Sequence, residues 1–229
     1  MRIKPTELRG RCIGLGAFAL VAISLAACSG APSASRSSTT TTSANPALVV
    51  PSTVQGRCSS GGACLLHVPY RLRDRPLRLP AVAGGGSCPA STGTTVTHPG
   101  MGGVALGGGV VTVITSQAGD LAHGIVDLAT SNVVGWYGIK TDWAISPSYS
   151  GWVIVRAKQL NGDGLIAALG DATVGPVVIP PGPTLNTFAG WREQPSGTYV
   201  KGPGCYGVQV DGSSFSEEIV IDAVLSPDS

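Results

Sequence analysis

Three histidines, thirteen acidic residues and six cysteines are the side chains that could carry reaction chemistry, and their spacing limits what that chemistry can be. His67, His98 and His123 stand in different segments, no Cys-x-x-Cys pair occurs, and no histidine lies close to two cysteines. A zinc site needs such spacing, so no metal or other cofactor is expected. A serine hydrolase sets its nucleophile in Gly-x-Ser-x-Gly between strand and helix, and Gly86-Ser87-Cys88 does not match that pattern. Triads assemble in space, so an enzyme would need a cleft gathering a histidine with Asp163, Asp171, Asp211 or Asp222. Asp120 and His123 are close in sequence, but without a nucleophile motif they read as a polar loop.

Asn161-Gly162-Asp163-Gly164 lacks the further oxygen ligands and the closing Glu of a calcium loop, so it reads as a turn. Glu217 and Glu218 are adjacent, and neighbours on a strand point to opposite faces. They cannot work together as glycosidase carboxylates and read as a solvated strand start. The glycine clusters lack the lysine and helix of a phosphate-binding loop. The aromatics are the ambiguous group. Trp136, Tyr137, Trp143, Trp152, Trp191 and Tyr206 supply much of the large side-chain surface, and most are expected in the core. Two or more exposed together would make a platform for a sugar ring or a peptide, so all six are candidate ligand-binding residues.

The elements that must position these groups begin with an export segment. Arg2, Lys4, Arg9 and Arg11 precede an apolar run from Cys12 to Leu25. That is the form of a secretory signal peptide, and the run is too short for a membrane-spanning helix of about 20 residues. Its end, Leu25-Ala26-Ala27-Cys28, resembles the lipobox of bacterial lipoproteins. The resemblance implies cleavage before Cys28 and a thioether-linked diacylglycerol on its sulfur, whose two acyl chains would anchor the chain to the membrane.

Removing residues 1–27 takes away four basic and one acidic residue, leaving eleven against twelve. Bulk charge therefore gives no support to nucleic-acid binding. Between Ser29 and Arg78 there are six arginines and one acid; beyond Arg78 the balance is five basic to eleven acidic. The arginines either face anionic lipid near the anchor or, the preferred reading, pack over the acidic body of their own domain.

With Cys12 removed and Cys28 lipidated, Cys58, Cys64, Cys88 and Cys205 remain. An even number in an exported domain suggests two disulfides with three possible pairings. Cys58–Cys64, around a glycine-containing loop, and Cys88–Cys205 are preferred.

Residues 28–46 are rich in Ser, Thr, Ala and Pro and have too little apolar content to fold. They form a disordered tether reaching about 20–25 Å as a random coil. Residues 47–229 show many short strands with turn signals and no sustained helical period. The expectation is all-β, a single immunoglobulin-like β-sandwich. Pro76 to Pro80 reads as an edge strand. Residues 151–160 and 165–169 read as a hairpin closed by Asn161-Gly162. In Cys205 to Val210, Tyr206, Val208 and Val210 alternate with Gly207 and Gln209. After the turn at Asp211-Gly212, Ile219, Ile221, Ala223 and Leu225 share one face.

Taken together, Arg78-Leu79-Pro80, Cys88-Pro89, Trp136 to Trp143, Pro147 to Gly151, Gly190-Trp191-Arg192, Pro203-Gly204-Cys205-Tyr206 and Gln209 to Gly212 resemble a group of poorly characterised exported bacterial proteins. These are often lipoproteins, from actinobacteria and similar phyla. The resemblance implies an all-β extracytoplasmic domain and carries no activity with it. The expected role is a lipid-anchored, non-enzymatic binding or assembly module of the cell envelope. Its partners would be the membrane through Cys28 and an envelope protein or glycan. A carbohydrate-binding domain and an enzyme of unfamiliar class are the alternatives.

Overall fold

The computed structural model describes residues 48–57, 62–98, 101–115, 119–163, 166–168, 175–184 and 186–227. The expected signal peptide and tether, with Cys28, lie outside the described residues, as do Cys58 and Asp171. The strands are β1 (Thr53–Arg57), β2 (Ala63–His67), β3 (Thr94–His98), β4 (Met101–Ala105), β5 (Val111–Thr115), β6 (Ile125–Thr130) and β7 (Tyr137–Ile145). They continue as β8 (Val153–Gln159), β9 (Ile166–Ala168), β10 (Val177–Ile179), β11 (Asn186–Phe188), β12 (Trp191–Val200), β13 (Gly204–Gly212) and β14 (Ser216–Leu225). With one four-residue helix, Tyr70–Arg73, beside them, the described chain is all-β, as expected.

One curled sheet of ten strands organises the described residues, in the order β10-β8-β13-β14-β6-β7-β12-β11, with β5 also on β7 and β9 also on β12. β14 and β6 run parallel; the other pairs in this sheet are antiparallel. The junction between β6 and β7 is narrow, Ala129 with Gly138 and Thr130 with Tyr137. On either side of it the sheet forms two wings that share one core. Val153, Val155, Tyr206, Val208, Val210 and Ile219 come from the first wing, and Val113, Ile139, Trp143, Ile145 and Val200 from the second. Period-two alternation produces this directly. Tyr206, Val208 and Val210 point inward, and Ile219, Ile221 and Ala223 join the same core. Leu225, at the strand end, is exposed instead.

The outer face of the first wing is covered by the chain preceding it. The β1–β2 hairpin, the residues flanking it and the short helix contribute Val50, Val54, Val68 and Leu72 to a small second core with Ile154, Trp152 and Val178. A strap from Arg75 to Gly93 then crosses β13 and β14. Pro76 to Pro80, expected as an edge strand, is extended without ladder pairing, and is held by side chains of β13 instead: Pro76 O accepts from Gln209 Nε2 at 3.1 Å, and Arg78 N donates to Gln209 Oε1 at 2.6 Å. Further along, Ser91 N donates to Val220 O and Val220 N to Ser91 Oγ, both at 2.9 Å. The Cys88–Cys205 disulfide fastens the strap to β13, with Cα atoms 5.3 Å apart. Cys64 is also disulfide-bonded.

The turn at Asn161-Gly162 does not close a hairpin. Both edges of β8 are taken, by β10 and β13, and β9 pairs with β12 in the other wing. The turn therefore carries the chain from one wing to the other. Asn161 Oδ1 braces it by accepting from Cys205 N at 3.1 Å. Pro195 sits mid-strand in β12, between the segments paired with β11 and β9. Its missing N–H costs no ladder bond there.

Candidate functional site

Asp211 and Gln209 lie on the outer face of β13, both at 0 % exposure, because the strap covers them. Arg156 Nη2, from β8, donates to Asp211 Oδ2 at 2.6 Å, and Arg75 Nη1 donates to Oδ1 at 3.2 Å. Ser216 Oγ donates to Oδ1 at 2.8 Å, and Gln209 Nε2 approaches both carboxylate oxygens. Arg75 also holds the carbonyls of Gly212 and Phe215, and Arg156 Nη1 holds the carbonyl of Arg75 at 2.6 Å. A carboxylate with its lone pairs filled and no solvent access fastens structure; it has no room for a substrate. Arg75 thus packs over its own domain, as the charge pattern led one to expect. Arg71 stacks on its neighbour Tyr70, and Arg73 pairs with its neighbour Asp74.

Beside Trp143, the polar groups of the core between the wings pair with one another. Trp143 Nε1 donates to Ser196 Oγ at 3.0 Å, and Thr141 Oγ1 lies 2.9 Å from Ser196 Oγ and 3.1 Å from Thr198 Oγ1. The cavity beside Trp143, about 40 Å³, is lined by Val113, Ile139, Val155, Val208 and Ile221 among others. It could hold a water but not a ligand ring. Trp143 and Tyr206 are each 3 % exposed. They are core residues rather than platform residues, because inward positions of a two-winged core must be filled by large side chains.

Tyr206 donates its hydroxyl to Gly202 O at 2.6 Å. Burial pushes its pKa from 10.0 up to about 12, against the smaller effect of that hydrogen bond. The folded chain thus holds a proton that the unfolded chain releases near pH 10. Stability from this source is complete below pH 10 and is lost as pH rises towards 12. Tyr206→Phe should cost about 1 kcal/mol at pH 7 for the lost hydrogen bond. Above pH 10 its urea midpoint should converge on that of the wild type and then pass it. Parallel pH profiles of the two chains check this.

The other candidates are dispersed. Trp136 is half-buried under Lys201, whose Nζ lies 3.8 Å from the ring centroid. Tyr137 packs against the main core and Trp152 against the smaller one. Trp191 lies opposite Phe188 across the β11–β12 hairpin. The six aromatics form no common platform. Among the described residues no three of His, Cys, Asp and Glu form a metal-binding group. His123 Nδ1 is 2.6 Å from Asp120 Oδ2, with both side chains exposed. His67 ends β2 and His98 ends β3, Asp163 is exposed at the inter-wing turn, and Asp222 is half-buried in β14.

Glu217, expected to be solvated, is half-buried. Its Oε1 accepts from Val110 N at 2.7 Å, fixing the start of β5. Burial raises its pKa, and the N–H groups of Val110 and Val111 oppose the rise. Arg192 is buried at the other end of the second wing. It donates to the carbonyls of Pro180, Gly182 and Gly151. Burial lowers its pKa, with Tyr149 acting in the opposite direction.

An open groove of about 240 Å³ lies on the outer face of the second wing. Thr130, Ser131 and Asn132 line it from the end of β6 and the following turn, Gly138 and Lys140 from β7, and Gly197 and Tyr199 from β12. Ser131 Oγ accepts from Val133 N at 2.9 Å and so shapes the turn. No sequence motif marks Tyr199. Its only signal was a glycine two residues before it on the same face, and the second glycine, Gly138, comes opposite it only through the β7–β12 register. Comparison with family models, curated proteins and solved structures returns no match.

Proposed function

We propose that this chain is a lipid-anchored protein of the bacterial cell envelope, tethered outside the membrane through Cys28 and acting as a non-enzymatic binding or assembly module. Its kin would be the exported bacterial lipoproteins that its motifs resemble. Residues 1–27 serve as signal, 28–46 as tether and 47–229 as the recognition domain. In this reading the two wings are the layers of an immunoglobulin-like sandwich. Tyr206, near the start of β13 and bonded to the carbonyl four residues back, supports it, since that is the geometry of a tyrosine corner.

The observation that carries the functional reading is the contrast between two polar sites. The charged cluster around Asp211 is closed, with both carboxylate oxygens bonded, whereas the Tyr199 groove is open and edged with hydrogen-bonding groups. Recognition sites need accessible polar groups around an apolar floor. The test is saturable capture of a component of solubilised envelope by the immobilised chain, with loss of capture in Tyr199→Ala. Capture unaffected by that substitution, or turnover of an envelope substrate by the purified chain, would contradict the proposal.

A further inference from the structure

We infer that the groove over β7 and β12 binds a pyranose ring stacked on Tyr199, an inference that rests on the binding-module reading and names its ligand. Tyr199 pairs with Gly138 across the strands, and Gly197 precedes it by two residues on the same outer face. A Cβ on Gly197 would stand 3.0–3.2 Å from Cε2, Cζ and the hydroxyl of Tyr199, and one on Gly138 would stand 3.5–3.7 Å from Cε1 and Cδ1. The two edges of the ring therefore occupy the spaces the glycines leave. The ring lies down on the sheet instead of standing away from it.

Glycine inside a strand weakens it and commonly marks close approach by another group. An aromatic laid over a cross-strand glycine recovers part of that loss. The rest of the groove points to a ligand. Its rim carries Thr130 and Asn132, both exposed, offering a hydroxyl and an amide to hydrogen-bond with. Its floor is an aromatic π-face.

A pyranose has the matching halves. The C–H bonds on one face of the sugar are weakly positive and apolar, and they meet the negative face of the tyrosine quadrupole. The equatorial hydroxyls meet the polar rim. A groove of about 240 Å³ accepts one ring while its neighbours in a chain stay in solvent.

The experiment is affinity electrophoresis of the full-length chain in detergent through gels containing soluble glucan, mannan or solubilised peptidoglycan strands. At least one polymer should retard the wild type saturably. Tyr199→Ala should bind about tenfold more weakly, the loss of one aromatic contact. Gly197→Ala, which keeps the tyrosine but forces its ring to give way by a few tenths of an ångström, should also weaken binding. Tyr199→Phe keeps the stacking face and should bind as the wild type does, and circular dichroism establishes that each variant is folded. No retardation of the wild type by any of the three polymers overturns the inference, and so does retardation unchanged in both Tyr199→Ala and Gly197→Ala. A protein ligand captured through the same groove would also overturn it, while leaving the binding-module reading standing.

Discussion

Replacing Arg156 with methionine should cost about 3–5 kcal/mol of folding stability, the loss expected when one partner of a buried ion pair is removed. Asp211 would remain at full burial without its 2.6 Å guanidinium partner. Arg75 holds the other oxygen at 3.2 Å, but its side chain is 25 % exposed and it also serves two carbonyls, so it cannot replace Arg156. The Arg75 carbonyl would lose its donor as well, loosening the strap where it first meets β13. Methionine fills much of the volume, so the loss reports charge rather than a cavity. Adding Asp211→Asn to Arg156→Met should restore part of the stability, because the orphaned charge is then gone. Urea denaturation of the two variants and the wild type makes the comparison. A loss below about 1 kcal/mol, the scale of an exposed pair, would mean that this cluster does not hold the strap.

Removing the Cys88–Cys205 disulfide by double alanine substitution should cost about 2–5 kcal/mol. The bond closes a sequence separation of 117 residues, and chain entropy places so long a loop near the top of that range. Reductant added to the wild type should cost at least as much, because it also opens the bridge at Cys64. The two locks are coupled, because Arg75 and Cys88 lie on one strap fixed to one strand, β13. Once either is cut, part of the strap's contribution is already gone. The combined Arg156→Met, Cys88→Ala, Cys205→Ala chain should therefore lose less than the sum of its parts, as expected for sites sharing one structural element. Strict additivity would indicate two independent anchors.

The part of the fold visible in sequence was the part written in period two. Tyr206, Val208 and Val210, and the run Ile219, Ile221, Ala223, showed their faces directly. Counting cysteines left three pairings open, and the preferred Cys88–Cys205 bridge is present in the structure. What escaped was set by contacts distant in sequence. Gln209 and Asp211 carry the polar side chains of a solvent face, yet are buried by a strap more than a hundred residues earlier. Asn161-Gly162 has hairpin chemistry, but β8 already has a neighbour on each edge. The β11–β12 turn was hidden because Ala189, at φ 48°, takes the positive-φ position before Gly190 where Asn or Asp is usual. The Tyr199 groove needed the register of β7 and β12 before its two glycines could be seen as neighbours.

The functional reading depends on the chain residing outside the membrane on a lipid anchor at Cys28. The most direct measurement is the detergent partitioning and intact mass of the chain after expression of the full sequence in a bacterium that processes lipoproteins. The wild type should enter the detergent phase with a mass beginning at Cys28 and carrying a diacylglycerol, since two acyl chains hold a protein stably at a membrane. Cys28→Ser should stay in the aqueous phase. A wild-type chain recovered in the aqueous phase with an unmodified thiol at Cys28 would contradict the anchored-module account.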